Sequence, residues 1–217
     1  MNPKKLILLP KSKVKIVYDN RTEEVKKAGP IMMKPWGIEA TLEERKTVTR
    51  GIVIPQPKNI NTPYEVYIQW KNCFVDKSTI IKNCRQGKPG DLLYIRKNYY
   101  VRREDVEVWL LINDVRCERL QDITEKDCLK EGIINAYCKL ECPSFLHGCR
   151  CDATCNQVGN CDKTQELKRQ FAKEWNKINA NQKGKNGNIL PYAWKDNPWV
   201  FPIGYSLFFV GRGVYEM

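Results

Sequence analysis

The stretch IEATLEERKTVTR at residues 38–50 decides how this chain is read, because a helix-forming run ends there and passes into the apolar, extended IVI of 52–54. Lys46, Thr47, Thr49 and Arg50 put an amine, two hydroxyls and a guanidinium close together where helical periodicity gives way to extended periodicity. In an extended segment Thr47 and Thr49 share one face and Lys46, Val48 and Arg50 the other. A bend at the change of pattern instead brings Lys46 and Thr49 to one pocket. Spacing alone also suits a solvated strand edge, so the meaning of the group depends on its surroundings.

Upstream, Ile31-Met32-Met33 reads as a short central strand entering a helix over 37–45, and the apolar LILL and alternating VKIVY within 4–18 read as an edge strand or hairpin. Downstream, YEVYIQW at 64–70 alternates as a half-buried strand does, a further strand is expected at 79–82, and Gly87–Asp91 forms a tight turn before LLYIR at 92–96. Residues 106–119 are apolar enough to be the spine of a sheet, with Glu107, Trp109 and Leu111 on one face and Val108, Leu110 and Ile112 on the other. Thr124 followed by Asp127 resembles a capping arrangement, and the helix it starts stops at Gly132. The clearest helix runs from Thr164 to Asn179, where Leu167, Phe171, Trp175 and Ile178 make one apolar stripe. NPWVFPIGYSLFFV near the C-terminus supplies one or two closing strands. Strands dominate, so the expected class is α+β around a curled mixed sheet or small β-barrel with short flanking helices.

The 217 residues suit one domain over 30–217, preceded by a basic N-terminal extension over 1–29 and interrupted by an insertion at about 134–163. No apolar run approaches the roughly 18 residues of a membrane span, and no small-residue cleavage site follows LILLP at 6–10, so neither a membrane partner nor a secretory signal is expected. The 37 Lys and Arg against 25 acidic residues give +12 at neutral pH, a field that attracts polyanions such as nucleic acid.

Five separated blocks together resemble one family. PIMMKPWGIEATLEERKTVTR (30–50), CRQGKPGDLLYIR (84–96), Val115 through Arg119 and Asp122 to Glu131-Gly132, FAKEWNKIN (171–179) and NPWV (197–200) are similar, in order, to phage and prophage proteins carrying an ASCH domain of the PUA-like superfamily. The resemblance implies a small β-barrel flanked by helices, association with RNA or a modified nucleoside or nucleotide, and a cytoplasmic phage or prophage protein. One small bacterial relative is an amidohydrolase that deacetylates N4-acetylcytidine with a Lys and a Thr of a K-T-x-T motif and a Glu on the following helix. Lys46 and Thr49 match the first two, and Glu131 falls where the third is expected. The resemblance thus implies catalytic roles for Lys46, Thr49 and Glu131 and a ligand pocket that also includes Arg45, Thr47, Arg50, Trp36 and Tyr99. Turnover would use Thr49 to attack or orient water, Lys46 as base and Glu131 as proton shuttle. A binding pocket with the same residues and no turnover ranks ahead of catalysis, the amidohydrolase is the alternative, and a phage-encoded interaction protein that sequesters a nucleotide signal or blocks a host factor is the third reading. Three positions depart from the family pattern: Glu44 stands where Gly is usual, Gly51 where a second Arg is usual, and Lys97 where Glu is common.

Ten cysteines are many for this length, and six of them, Cys138, Cys142, Cys149, Cys151, Cys155 and Cys161, crowd into one stretch with the single histidine, His147. Clustered Cys and His in an intracellular chain read as ligands of a structural zinc. No CxxC pair is present, so a free-thiol or disulfide-bridged loop is an equal reading. Cys73, Cys84, Cys117 and Cys128 lie in or beside the expected elements and read as small core residues.

Overall fold

The computed structural model describes residues 3–9, 13–18, 23–57, 65–68, 73–98, 100–133 and 163–211. Its strands are β1 (Pro3–Leu9), β2 (Lys13–Tyr18), β3 (Glu23–Met32), β4 (Val48–Ile52), β5 (Glu65–Ile68), β6 (Cys73–Asp76), β7 (Leu92–Arg96), β8 (Val108–Val115), β9 (Glu118–Arg119) and β10 (Trp199–Val210). The helices are α1 (Pro35–Leu42), α2 (Lys77–Lys82), α3 (Glu125–Lys130) and α4 (Lys163–Asn179). An eight-stranded mixed sheet in the order β1-β2-β3-β7-β8-β10-β4, with β9 also on β10, holds most of them, and β5 pairs with β6 in a two-stranded sheet. All the pairings are antiparallel except that of β3 with β7. β1 and β4 end the sheet, which is therefore unclosed: the architecture is the α+β curled sheet rather than a barrel.

β8 is the spine, paired to β7 on one side and β10 on the other. Its alternation separates two cores. Val108, Leu110 and Ile112 pack with Leu93, Ile95, Ile203 and Tyr205, whereas Trp109 packs with Leu92, Tyr94, Leu6 and Val14 on the other face. Leu6, Leu8, Val14 and Ile16 of the basic leader thus share a core with the central strands. The strand expected at 31–33 is the end of a longer one that begins at Glu23 and lies parallel to β7.

Residues 79–82 are helical, not extended. Their β-branched Thr79, Ile80 and Ile81 favour a strand locally, but the four-residue spacing of Ile80 and Cys84 lays both on the central core, and packing overrides propensity. β4 begins at Val48, earlier than the expected 52, so Thr49 and Arg50 are themselves strand residues opposite Ile203 and Pro202. A third core, formed by Leu120, Ile123, Cys128, Leu167, Phe171, Trp175 and Val200, fastens α3 and α4 to this end of the sheet. Ile178 continues the α4 stripe in sequence but is exposed. Cys84, Cys117 and Cys128 are buried free thiols.

Candidate functional site

Two helix ends build the site. Pro35 starts α1, where its missing N–H costs nothing and Lys34 is extended, as the residue before proline prefers. α1 stops because Glu44 takes φ 58°, and the chain then folds back so that Lys46 N donates to Ala40 O at 2.8 Å. Thr41 fixes α1 to the sheet: its Oγ1 donates to Gly37 O at 2.8 Å and lies 3.1 Å from the Tyr205 hydroxyl. α3 is capped at its start by Thr124, whose hydroxyl accepts from Asp127 N at 3.1 Å. It ends at Gly132, with φ +82° and Ile133 N donating to Cys128 O at 3.2 Å. A Cβ on Gly132 would lie 3.1 Å from Lys46 Cβ and 3.2 Å from Ala40 Cβ, so glycine lets the two helix ends close on each other. Lys46 and Glu131 form an antiparallel bridge there, and Thr47 N donates to Lys130 O at 2.8 Å.

The buried Lys46 side chain faces into this junction. Nζ donates to Val48 O at 2.9 Å, to Glu131 O at 3.0 Å and to Glu131 Oε2, so all three of its N–H bonds are used. The other oxygen of the same carboxylate, Oε1, accepts from Arg50 Nη1 at 2.8 Å. Arg50 Nη2 reaches Glu118 Oε1 at 3.0 Å and Asp127 Oδ2 at 3.4 Å. Arg116, half-exposed, braces the same two acids at 3.4 and 3.3 Å. The Arg50 side chain is only 1% exposed, and its guanidinium lies 5.6 Å from the Phe171 ring centre. Burial works against that charge, but the carboxylates of Glu131 and Glu118 outweigh it and hold its pKa above the ordinary arginine value.

This network is one wall of a cavity of about 150 Å3 lined also by Thr49, Met32, Met33, Trp36, Phe171, Trp175 and Asn179. Trp36 stands over Lys46, with Nζ 5.8 Å from its ring centre. Thr49 Oγ1 makes no hydrogen bond among the described residues, so a donor and acceptor is left at the cavity wall. Burial raises the pKa of the nearby Tyr205 hydroxyl, a shift that its bond to Thr41 only partly offsets.

The residues singled out by sequence separate into three groups. Lys46, Thr49, Arg50, Glu131 and Trp36 come together on the cavity. Arg45 and Thr47 do not line it: Arg45 is exposed and bonds Glu43 with Nε–Oε2 2.6 Å, and Thr47 contributes its backbone, accepting from Tyr205 N at 2.9 Å. Tyr99 and the proposed zinc ligands Cys138, Cys142, His147, Cys149, Cys151, Cys155 and Cys161 lie outside the described residues. Glu44 is exposed and lies off the cavity. Gly51 is faced by the Gln86 side chain, whose Nε2 would sit 2.7 Å from an added Cβ.

Sequence reasoning missed the acids Glu118 and Asp127, and it took Phe171 and Trp175 only as core. Glu118 stands among Asp114, Arg116 and Arg119 at the polar end of the 106–119 run, where nothing in the sequence marks it off from a solvated turn. For the α4 aromatics there was no signal either, because the same stripe serves packing and cavity lining at once.

No family model matches the chain, and no curated protein matches it. Among solved structures it is similar to a crystal structure of an ASCH domain from Lactobacillus crispatus JV V101, with a TM-score of 0.37 and 8% sequence identity over 84% of this chain and 79% of that one. Among the described residues no helix is long and apolar enough to cross a membrane.

Proposed function

We propose that this chain is an ASCH-type, PUA-like protein that binds RNA or a modified nucleoside or nucleotide, with a base entering the cavity beside Lys46, Thr49, Arg50 and Glu131. The observation that carries the reading is the pairing of aromatic walls, Trp36, Phe171 and Trp175, with one polar wall whose Thr49 hydroxyl is unpaired among the described residues. Flat rings stack on aromatic side chains, and a few fixed polar groups then select among them. The volume suits one ring system, since an apolar cavity of about 150 Å3 binds benzene. The net charge of +12 favours encounter with a polyanion, and the five-block sequence resemblance points the same way.

Titration with cytidine, uridine, N4-acetylcytidine and a mixed single-stranded RNA, followed by tryptophan emission and calorimetry, tests it. Binding with altered tryptophan emission is expected, and Trp36→Ala weakens it by about 5- to 150-fold, the equivalent of about 1–3 kcal/mol for a lost stacking partner. Failure of all four to bind at millimolar concentration, with the protein folded by circular dichroism, overturns the reading.

An amidohydrolase of an N-acylated nucleobase is the second reading, favoured by the meeting of Thr49, Lys46 and Glu131 on one wall. Water would add across the amide, giving a carboxylate and the free base amine. Binding ranks first because every Lys46 N–H already has an acceptor and Glu131 already holds two cations, which leaves neither poised as a free base. Acetate release from N4-acetylcytidine, abolished by Thr49→Val, would establish turnover. A structural zinc within 138–161 and contact with a host protein by that stretch are further proposals, read by native mass spectrometry of the full chain.

A further inference from the structure

The inner cavity is not the end of the concave surface. Trp36, Ile133 and Glu174 line it and also line a larger, open groove of about 600 Å3 that runs along α4 past Glu166, Arg169, Gln170 and Lys173. The lip of the inner cavity is apolar and in contact with water, since Met32, Trp36 and Ile178 are 41%, 37% and 47% exposed, and Trp36 is the part of it that the groove shares. A single nucleoside filling the inner cavity would leave that lip wet, whereas a neighbouring base would cover it by stacking on Trp36.

The charges in the groove are arranged for an anion beside the lip. Both acids are already engaged: Glu166 accepts from Arg169 Nε at 2.8 Å and Gln170 Nε2 at 2.9 Å, and Glu174 pairs with Lys177 at 2.5 Å. Lys173, exposed between them, has no ion-pair or hydrogen-bond partner among the described residues. A flexible ammonium of this kind contacts a phosphate as a point charge, without demanding fixed geometry.

We infer that the ligand is a single-stranded polynucleotide rather than a free nucleoside: one base occupies the inner cavity, the adjacent nucleotide crosses Trp36 into the α4 groove, and Lys173 meets its phosphate. The inference rests on the proposed base-binding reading of the inner cavity and adds to it the class of ligand and the direction in which the strand leaves.

The test measures the affinity of the full-length protein for uridine and cytidine against that for five-residue oligouridylate and oligocytidylate, at two salt concentrations, and repeats the comparison with Lys173→Gln. The expected result is at least a tenfold tighter oligomer, a salt-sensitive difference, and an oligomer-to-nucleoside ratio that falls several-fold in Lys173→Gln. Equal affinity for nucleoside and oligomer overturns the inference while leaving the base-binding reading in place. A tighter oligomer whose advantage survives Lys173→Gln also overturns it, since the gain then comes from the general basic surface. If neither nucleosides nor oligomers bind, both readings fall together.

Discussion

Replacing Glu131 by Gln removes one charge, hardly changes shape, and strikes the point on which the whole site is hung. The carboxylate divides its oxygens between two buried cations, Oε2 to Lys46 and Oε1 to Arg50. An amide has one acceptor and one donor end, so whichever way the substituted side chain turned, an NH2 group would face either the ammonium or the guanidinium. Arg50 retains Glu118 and Asp127, but Lys46 loses the carboxylate that pairs with it whichever way the amide turns, and keeps only neutral acceptors. Leaving a buried charge uncompensated costs about 3–5 kcal/mol. For a chain of this length each kcal/mol shifts the melting temperature by about 2–4 °C, so a fall of about 6–20 °C is expected. Urea unfolding followed by circular dichroism should show the loss as a lower midpoint at unchanged m. A second variant, Lys46→Met with Glu131→Met, should recover a measurable part of the loss, because a buried pair replaced by apolar groups is often near neutral. A Glu131→Gln protein within about 1 kcal/mol of the unaltered one would refute the argument that this carboxylate holds the helix ends together.

Gly132→Ala should be almost as damaging, by about 2–4 kcal/mol, since the left-handed backbone at φ +82° costs about 1–2 kcal/mol and the Cβ crowds Lys46 and Ala40; thermal unfolding reads it. Glu44→Gly should do the reverse, because φ 58° strains a side chain that makes no use of the position, and a gain of up to about 1 kcal/mol in urea unfolding is expected; a loss would show that Glu44 contributes something the backbone does not reveal. Burial pushes the Cys117 and Cys128 thiols up to about 11 from an ordinary 9.0. Because the folded values are raised, their contribution is complete below about pH 9 and is lost as the pH rises through about 11. Urea midpoints should therefore fall between about pH 9 and about pH 11, less steeply in the Cys117→Ala, Cys128→Ala double variant, while both thiols resist labelling in the native protein at about pH 8.

Much of this molecule was legible in one dimension. Alternation at 108–112 assigned each β8 side chain to the correct face, Thr124 and Gly132 marked both ends of α3, and the Leu167, Phe171 and Trp175 stripe located the buried side of α4. These are local statements, set by side-chain period and by the hydrogen-bonding needs of helix ends. The meeting of Lys46, Thr49, Arg50, Trp36 and Glu131 was anticipated through family likeness, which periodicity alone does not supply.

What the tertiary structure decided was the use of each residue. Thr79–Ile81 became helical because the core lay on one side of them, and the leader joined the sheet because β3 found a parallel partner in β7. Arg45 and Arg50 are alike in sequence, yet one is exposed beside Glu43 and the other is buried among three carboxylates contributed by β9, α3 and the α3 terminus. Charge burial depends on partners distant in the chain, here Glu118, Asp127 and Glu131, and the free energy that selects them exists only once those elements have packed. Chemistry-bearing residue types can therefore be read from the sequence, whereas their protonation, pairing and exposure belong to the assembled fold.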